Sequence, residues 1–344
     1  MTTMRLGLSS ENMHATRCAP PRSFLAFAIL HLLWAMPFGV LAQTPDKMLH
    51  VGILSSGTLE IRSNLDQALV QGLRDQGYVE GKNLNIVRRY GASKVREHAS
   101  ELAGLKLDAI LTTCTPSTRF MKEATSITPI VMAAVSDPVS QGIIASLAKP
   151  GQNVTGTSSQ AEDLLPKRLE LLAELLSKLT TVAVLANARN PVHAIGWQRL
   201  QSAAQQANIK LVKVEMNKPD ELPAAMNAAA LAGAGALFVL PDDPLMLNTR
   251  AEMVELAAKY GMPDFHWARE FVDSGGLMSY GENLRGSYRN AAAYMDKIKK
   301  GAVPATLPVA QPTRFELVIN LSTVKARGLT IPQSLLLRAD EVIQ

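Results

Sequence analysis

The sequence predicts an α/β protein built as two doubly wound parallel-sheet lobes that face one cleft. Three observations carry that expectation. Strand and helix signals alternate along most of the chain. A Gly/Pro/Asn-rich stretch, KPGQNVTG at 149–156, breaks the alternation, which then restarts. A second crossing candidate, GGLMSYG at 275–281, follows the restarted run. Strands that alternate with helices form parallel sheets covered on both faces, and 344 residues are enough for two such lobes.

The first half opens with a strand at 50–54 and the polar turn Ser55-Ser56-Gly57-Thr58. An amphipathic helix at 61–76 stops at Gly77. A strand at 84–90, a helix at 95–105 and a strand at 109–112 come next. The turn at 113–116 leads into a helix at 117–124. The run IVMAAV at 130–135 is continuously apolar, as a strand buried on both faces should be. It ends abruptly in Ser136-Asp137-Pro138. Pro138 disfavours helical backbone at Asp137, and open α/β sheets bind ligands at the carboxyl ends of their strands. Asp137 is therefore a candidate partner for a cationic group such as an ammonium. The alternative is a cap on a helix near 140–147.

The second half reads as a helix at 167–176, a strand at 181–185 ending at Asn187, a helix at 193–207 and a strand at 210–215. An Ala-rich helix at 221–232 precedes a strand at 236–240, which ends in Pro241-Asp242-Asp243-Pro244. A helix at 245–260 and a short strand at 262–266 follow. After the second crossing come one long helix at 284–300, a Pro-punctuated stretch and a tail. The polar turns at 55–58, 113–115, 136–137, Asn187 and Asp242 all follow strands, so they should converge on the cleft between the lobes. Local alternatives are a turn capping the first helix at 55–58, an N-cap at Thr115 and a cap at Asp243.

The first 42 residues do not read as fold. Arg17 and Arg22 precede the apolar run FLAFAILHLLWAMPFGVL at 24–41, and small residues end it before Gln43. This is the pattern of a cleavable signal peptide, with Pro37 and Gly39 arguing against a membrane anchor. No Cys follows the cut, so no lipid anchor is expected there. Without this segment the net charge is +3, too small and too evenly spread for nucleic acid. Cys18 leaves with the signal, and Cys114 then has no disulfide partner. The six histidines have no metal-ligand spacing. There is no dinucleotide fingerprint, phosphate loop or nucleophile elbow, and no catalytic residue, metal or cofactor is expected.

Three passages carry a resemblance to a known family. They are VSDPV continuing to SLAKPGQNVTG at 146–156, FVDSGGLMSYG at 271–281, and LPVAQPTRFELVINLSTVKARGLTIPQSLLLRADEVI at 307–343. With KRLELLAEL at 167–175 they span nearly the whole mature chain. The sequence resembles the substrate-binding proteins of ABC transporters, in the family typed by tryptophan- and tyrosine-binding members. The resemblance implies a type I periplasmic binding fold with a three-segment hinge. It places lobe one at 43–155 plus 282–311 and lobe two at 156–281 plus 312–344. It also implies a monomeric, non-enzymatic periplasmic protein that closes on a small molecule, an amino acid or related zwitterion or carboxylate, and then docks on an ABC permease in the inner membrane. An exported sensor of the same fold, feeding a signalling receptor, is the alternative.

The family's ligand positions map onto the turns already described. The ligand carboxylate would lie against Ser55, Ser56, Thr113 and Thr115, and its ammonium against Asp137 helped by Asp242. Asn187 and Tyr280 would close from the second lobe and the crossing. Hinge packing is the alternative role for Tyr280, and Trp267 is a secondary stacking candidate. Cys114 departs from the small or hydroxyl residue usual in the family at that turn.

Overall fold

The computed structural model describes residues 48–344. The expected signal peptide, with Cys18 in it, lies outside the described residues. Leu49–Ser55 forms β1, Leu59–Asp75 α1, Leu84–Tyr90 β2 and Val95–Ala103 α2. Ala109–Thr112 is β3, Thr115–Ala124 α3, Ile130–Ser136 β4 and Val154–Ser159 β5. These five strands form one sheet in the order β2-β1-β3-β4-β5, every pair parallel.

The chain then builds a second sheet. Leu165–Leu175 is α4, Thr181–Ala186 β6, Pro191–Gln206 α5, Lys210–Glu215 β7 and Leu222–Leu231 α6. Ala236–Val239 is β8, Pro244–Asn248 α7, Arg250–Lys259 α8, Asp264–His266 β9, Arg269–Asp273 α9 and Met278–Glu282 β10. Leu284–Lys299, α10, returns to the first lobe and packs along α1. The tail supplies Phe315–Asn320 (β11), Leu321–Ala326 (α11), Gln333–Arg338 (α12) and Glu341–Ile343 (β12). The second sheet runs β12-β11-β10-β9-β8-β6-β7. Only β10 and β11 pair antiparallel among its described strands. The chain returns from the first lobe at the cleft end of the sheet, so β11 must run away from the cleft. The result is two doubly wound parallel-sheet lobes of the type I periplasmic binding fold.

Four expectations differ from the structure. Residues 140–147 form turns, not a helix. The segment at 149–156 was expected as crossing only, whereas β5 begins inside it at Val154 and stays in the first sheet to Ser159. Its sequence, VTGTSS, is too polar to advertise a strand, yet all six residues are buried. The expected helix at 245–260 breaks at Thr249 into α7 and α8. The tail carries strands that complete the second sheet.

β4 is irregular where it matters. Its register on β5 shifts between Met132 and Val135, so three steps on β4 match two on β5. Ala134 sits at φ 57° in this bulge, and its N–H donates to Thr157 Oγ1 at 3.0 Å. Gly156 lies opposite at φ 123°, where a Cβ would come 2.3 Å from the Met132 carbonyl oxygen. Only glycine fits there.

One apolar cluster runs through both lobes. Leu65, Leu69 and Leu73 of α1 and Tyr288 and Met295 of α10 join Met246, Leu247 and Trp267 from the second lobe. Separate clusters cover the opposite faces of the two sheets. The apolar faces of the helices bury this surface, which is the main favourable term in the fold.

Candidate functional site

The strand ends of both sheets enclose a narrow cavity of about 20 Å³. Thr113, Cys114 and Ala134 line it from the first lobe, Asp242 and Trp267 from the second, and Tyr288 from α10. On the first-lobe side the hydroxyls form a chain. Thr113 Oγ1 donates to Ser55 Oγ at 3.0 Å, and the Gly57 N–H donates to the same oxygen at 3.1 Å. The Cys114 thiol lies 3.7 Å from Ser56 Oγ and 3.2 Å from Ser117 Oγ. Cys114 is also the N-cap of α3, and its side chain makes no cap bond. The α3 N-terminus therefore opens at the cavity wall.

Two hydrogen bonds join the lobes beside this cavity. Thr115 Oγ1 donates to Asp242 Oδ2 at 2.7 Å, and Asn248 Nδ2 donates to the Ser56 carbonyl at 3.5 Å. Asp242 is buried, at φ 56°. Positive φ at a non-glycine residue is strain that recurs at functional positions, and Ala134 across the cavity shows it too. Burial pushes the Asp242 carboxyl well above the usual range, and the charges of Glu162, Asp243 and Glu282 push it the same way against the Thr115 hydrogen bond. The charges that act most strongly on it are carboxylates.

The turn that carries Asp242 is braced from behind. Asp243 Oδ1 accepts from the Leu245 N–H at 2.8 Å and so caps α7. Its Oδ2 accepts from Asn187 Nδ2 at 2.9 Å and Asn190 Nδ2 at 3.0 Å. The Asn187 N–H donates to His193 Nδ1 at 2.8 Å, which places the ring proton on Nε2, 2.8 Å from the Pro241 carbonyl. Burial lowers the pKa of this imidazole, in keeping with a neutral ring.

A second group of buried charges ties the crossings together. Arg168 of α4 is fully buried and donates to the Ala161 carbonyl at 2.8 Å and the Tyr280 carbonyl at 2.6 Å. Burial lowers its pKa to about 10. Glu162, just past β5, accepts from the Ser136 hydroxyl. Glu282, at the end of β10, accepts from Ser287 Oγ at 3.1 Å. Burial raises Glu162 and pushes Glu282 up to about 7.

Of the eight candidate residues, the structure brings Ser55, Ser56, Thr113, Thr115 and Asp242 together at this cavity. The convergence fails at three. Asp137 is exposed at φ 34°, outside the cavity, and its Oδ1 accepts from the Ser140 N–H at 3.1 Å, closing a local turn instead of capping a helix. The extra residue in the β4 bulge reverses the alternation of side chains beyond it. Asn187 spends its amide on Asp243 behind the turn. The Tyr280 ring packs against Phe315, with centroids 6.2 Å apart, on the far face of the second sheet.

Sequence reasoning missed Tyr288 and the bulge, and it ranked Trp267 second. Gly281 is what seats Trp267. A Cβ there would meet the Trp267 carbonyl oxygen at 1.9 Å. Among the described residues, no three His, Cys, Asp or Glu side chains are grouped to hold a metal ion.

Comparison with known proteins fits this geometry. Residues 58–343 match the ABC transporter substrate binding protein family. The chain belongs to that family. Substrate-binding proteins of ABC transporters work outside the cytoplasm, where they bind small ligands and engage a permease. A curated relative, the "Tyrosine-binding protein" of Clostridioides difficile, is 28% identical over 76% of this chain and 77% of its own.

Solved structures of the same fold include a conserved domain protein from Vibrio cholerae, 27% identical with a TM-score of 0.80. A ligand-free, open substrate-binding protein with adhesive properties from Clostridium difficile is 25% identical with a TM-score of 0.61. A Streptococcus pneumoniae ABC domain in complex with L-Trp, 23% identical, has a TM-score of 0.79. Each covers 86% of this chain and 100% of its own.

Proposed function

We propose that this substrate-binding protein is the extracytoplasmic component of an ABC importer that holds an amino acid or related zwitterion between its lobes. The observation that carries this reading is Asp242, a buried carboxyl at a strand end, surrounded by other carboxylates and aimed at the inter-lobe cavity. A protonated amine placed against it restores its charge and offsets the cost of burial. The opposite wall offers hydroxyls and the N-terminus of α3, which favour a carboxylate. Trp267 and Tyr288 add aromatic faces. The tyrosine-binding relative supports an aromatic amino acid as the solute.

Capture would work by closure. The cavity of about 20 Å³ is far below the roughly 300–1,000 Å³ of small-molecule sites, so a solute enters only when the lobes part. The lower match to the open relative than to the Vibrio cholerae structure, at similar identity and equal coverage, supports a closed arrangement here. A solute that bridges the lobes would shift the open–closed equilibrium toward closed, and the closed form would engage the permease. No bond in the solute is made or broken.

The test is a thermal-shift panel of amino acids and small carboxylates on protein stripped of bound solute, followed by calorimetry. Aromatic amino acids should raise Tm, and Asp242→Asn should remove the response. Calorimetry in buffers of different ionisation enthalpy should read a proton released from Asp242. A panel with no responder would sink the proposal.

A further inference from the structure

We infer that a second cavity, beside the first crossing, is a binding site for a small protonated amine. It holds about 150 Å³ and is lined by Asp137, Ser158, Ser159 and Glu162. Asp163 and Arg199 pair with each other at its edge. Ser159 lines the inter-lobe cavity too, so the two spaces are neighbours.

Two residues that line this space each carry a buried polar atom left without a partner. Glu162 Oε1 and Ser158 Oγ are both buried without a hydrogen-bond partner. The residues that carry them are 5% and 1% exposed. A buried polar group in that condition costs about 1–3 kcal/mol, and chance does not usually place two against one cavity. The other Glu162 oxygen is already held by Ser136. The Asp137 carboxylate stands at the opening, fixed by the Ser140 N–H.

The chemistry of the wall selects the ligand. Asp137 and Glu162 are carboxylates, and the charges of Arg168 and Arg199 favour an ionised Glu162 without either guanidinium bonding to it. Arg199 is committed to Asp163, and Arg168 to the carbonyls of Ala161 and Tyr280. A cation that carries several N–H donors suits two carboxylates and a hydroxyl. A space of this volume holds several waters or a molecule about the size of benzene. That admits ammonium or methylammonium and is below the roughly 300–1,000 Å³ of sites for drug-sized ligands. Burial pushes the Glu162 carboxyl up, and a cation beside it would restore its charge.

The site also spans the hinge. Asp137, Ser158 and Ser159 end first-lobe strands, whereas Glu162 lies past the crossing and Arg199 is on α5. An amine held here links the lobes from the hinge side and favours the closed form. This holds whatever the cleft binds.

The experiment is a thermal-shift and calorimetric titration of the purified protein with methylammonium chloride, against sodium and potassium chloride at equal ionic strength. Methylammonium should give a saturable rise in Tm that the other salts do not. Glu162→Gln should weaken it about tenfold or more, the loss of one charge-assisted hydrogen bond. Asp137→Asn, at an exposed position that leaves the fold intact, should weaken it about threefold. Asp242→Asn, designed to remove the cleft response to tyrosine, should leave the methylammonium response in place. The same result with no tyrosine response in any variant would still support this site while removing the cleft proposal. An equal rise with potassium, no saturable rise above sodium chloride, or a response lost in Asp242→Asn and kept in Glu162→Gln would each overturn the inference.

Discussion

Two turns in this molecule read almost alike and face different ways. β4 ends in Ser136-Asp137-Pro138, and β8 is followed by Pro241-Asp242-Asp243-Pro244. Each sets an aspartate at positive φ just after an apolar strand, at 34° and 56°. Asp242 is buried and accepts from Thr115 of the opposite lobe, while Asp137 is exposed and accepts from its own turn. The difference lies upstream. β8 pairs with β6 in unbroken register, whereas β4 carries an extra residue near Ala134. That residue turns the strand end over. A local motif says where the chain turns, and register decides what the turn faces.

The sharpest way to break this comparison is to neutralise each aspartate in turn. Asp242→Asn should cost about 2–5 kcal/mol of solute affinity, the usual loss when one partner of a buried charge pair is removed. Asp137→Asn should leave tyrosine affinity within about 0.5 kcal/mol, as an exposed carboxylate outside the cavity would. Calorimetry on both variants decides between them. Equal losses would mean that the two turns share one ligand and that the bulge does not separate them.

The alternation of strands and helices was legible because each element carries its own period and its own stop signals, as at β2, β3 and β7, whose limits coincide with expectation. The hydroxyl wall was legible too, since strand ends in such a sheet must converge. What was hidden depends on contacts distant in sequence. β5 is buried despite a polar sequence because Thr157 bonds into the bulge of β4 and Thr155 donates to the Leu307 carbonyl at 2.7 Å. Tyr288 reaches the cavity only because α10 recrosses to the first lobe, and nothing in its own neighbourhood says so. Asp137 was misplaced because an Ala-Ala pair in an apolar run gives no sign of a bulge.

The pH response of the hinge sharpens the contrast between buried and exposed carboxyls. Folded Glu282 holds its proton more tightly than an unfolded chain does, with a pKa near 7 against a usual value of 4.5. The stability it contributes is complete below pH 4.5 and is lost as pH rises through 7. Glu282→Gln keeps the shape without the ionisation. Urea denaturation of both proteins at pH 5 and pH 8 should show wild type losing about 3 kcal/mol relative to the variant. A constant difference across that range would mean that Arg168 already keeps Glu282 ionised.

The bulge itself can be tested through its partner. Gly156→Ala puts a Cβ against the Met132 carbonyl at a φ that L-residues avoid. The strain should cost about 2–3 kcal/mol in chemical denaturation. Because the substitution presses on Met132, next to Ala134, it should also weaken the solute more than an equally destabilising change in α12, far from the cleft. If it lowers stability and leaves affinity untouched, the bulge shapes the sheet but not the site.

The smallest effect belongs to a third strand-end turn, the one after β9. Trp267 lines the cavity, and its indole N–H is buried without an acceptor. Removing the unsatisfied donor gains about 1 kcal/mol and the void left by the smaller ring costs about as much, so Trp267→Phe should leave stability nearly unchanged. If the N–H serves a solute, affinity should fall about fivefold in the same variant, which separates a recognition role from packing. A variant that keeps both its stability and its affinity would leave Asp242 as the polar anchor of the second lobe and Trp267 as a wall. Stability kept with affinity lost would mean that the turn after β9, like the turn after β8, accepts an unfavourable group in the free protein for the sake of what it binds.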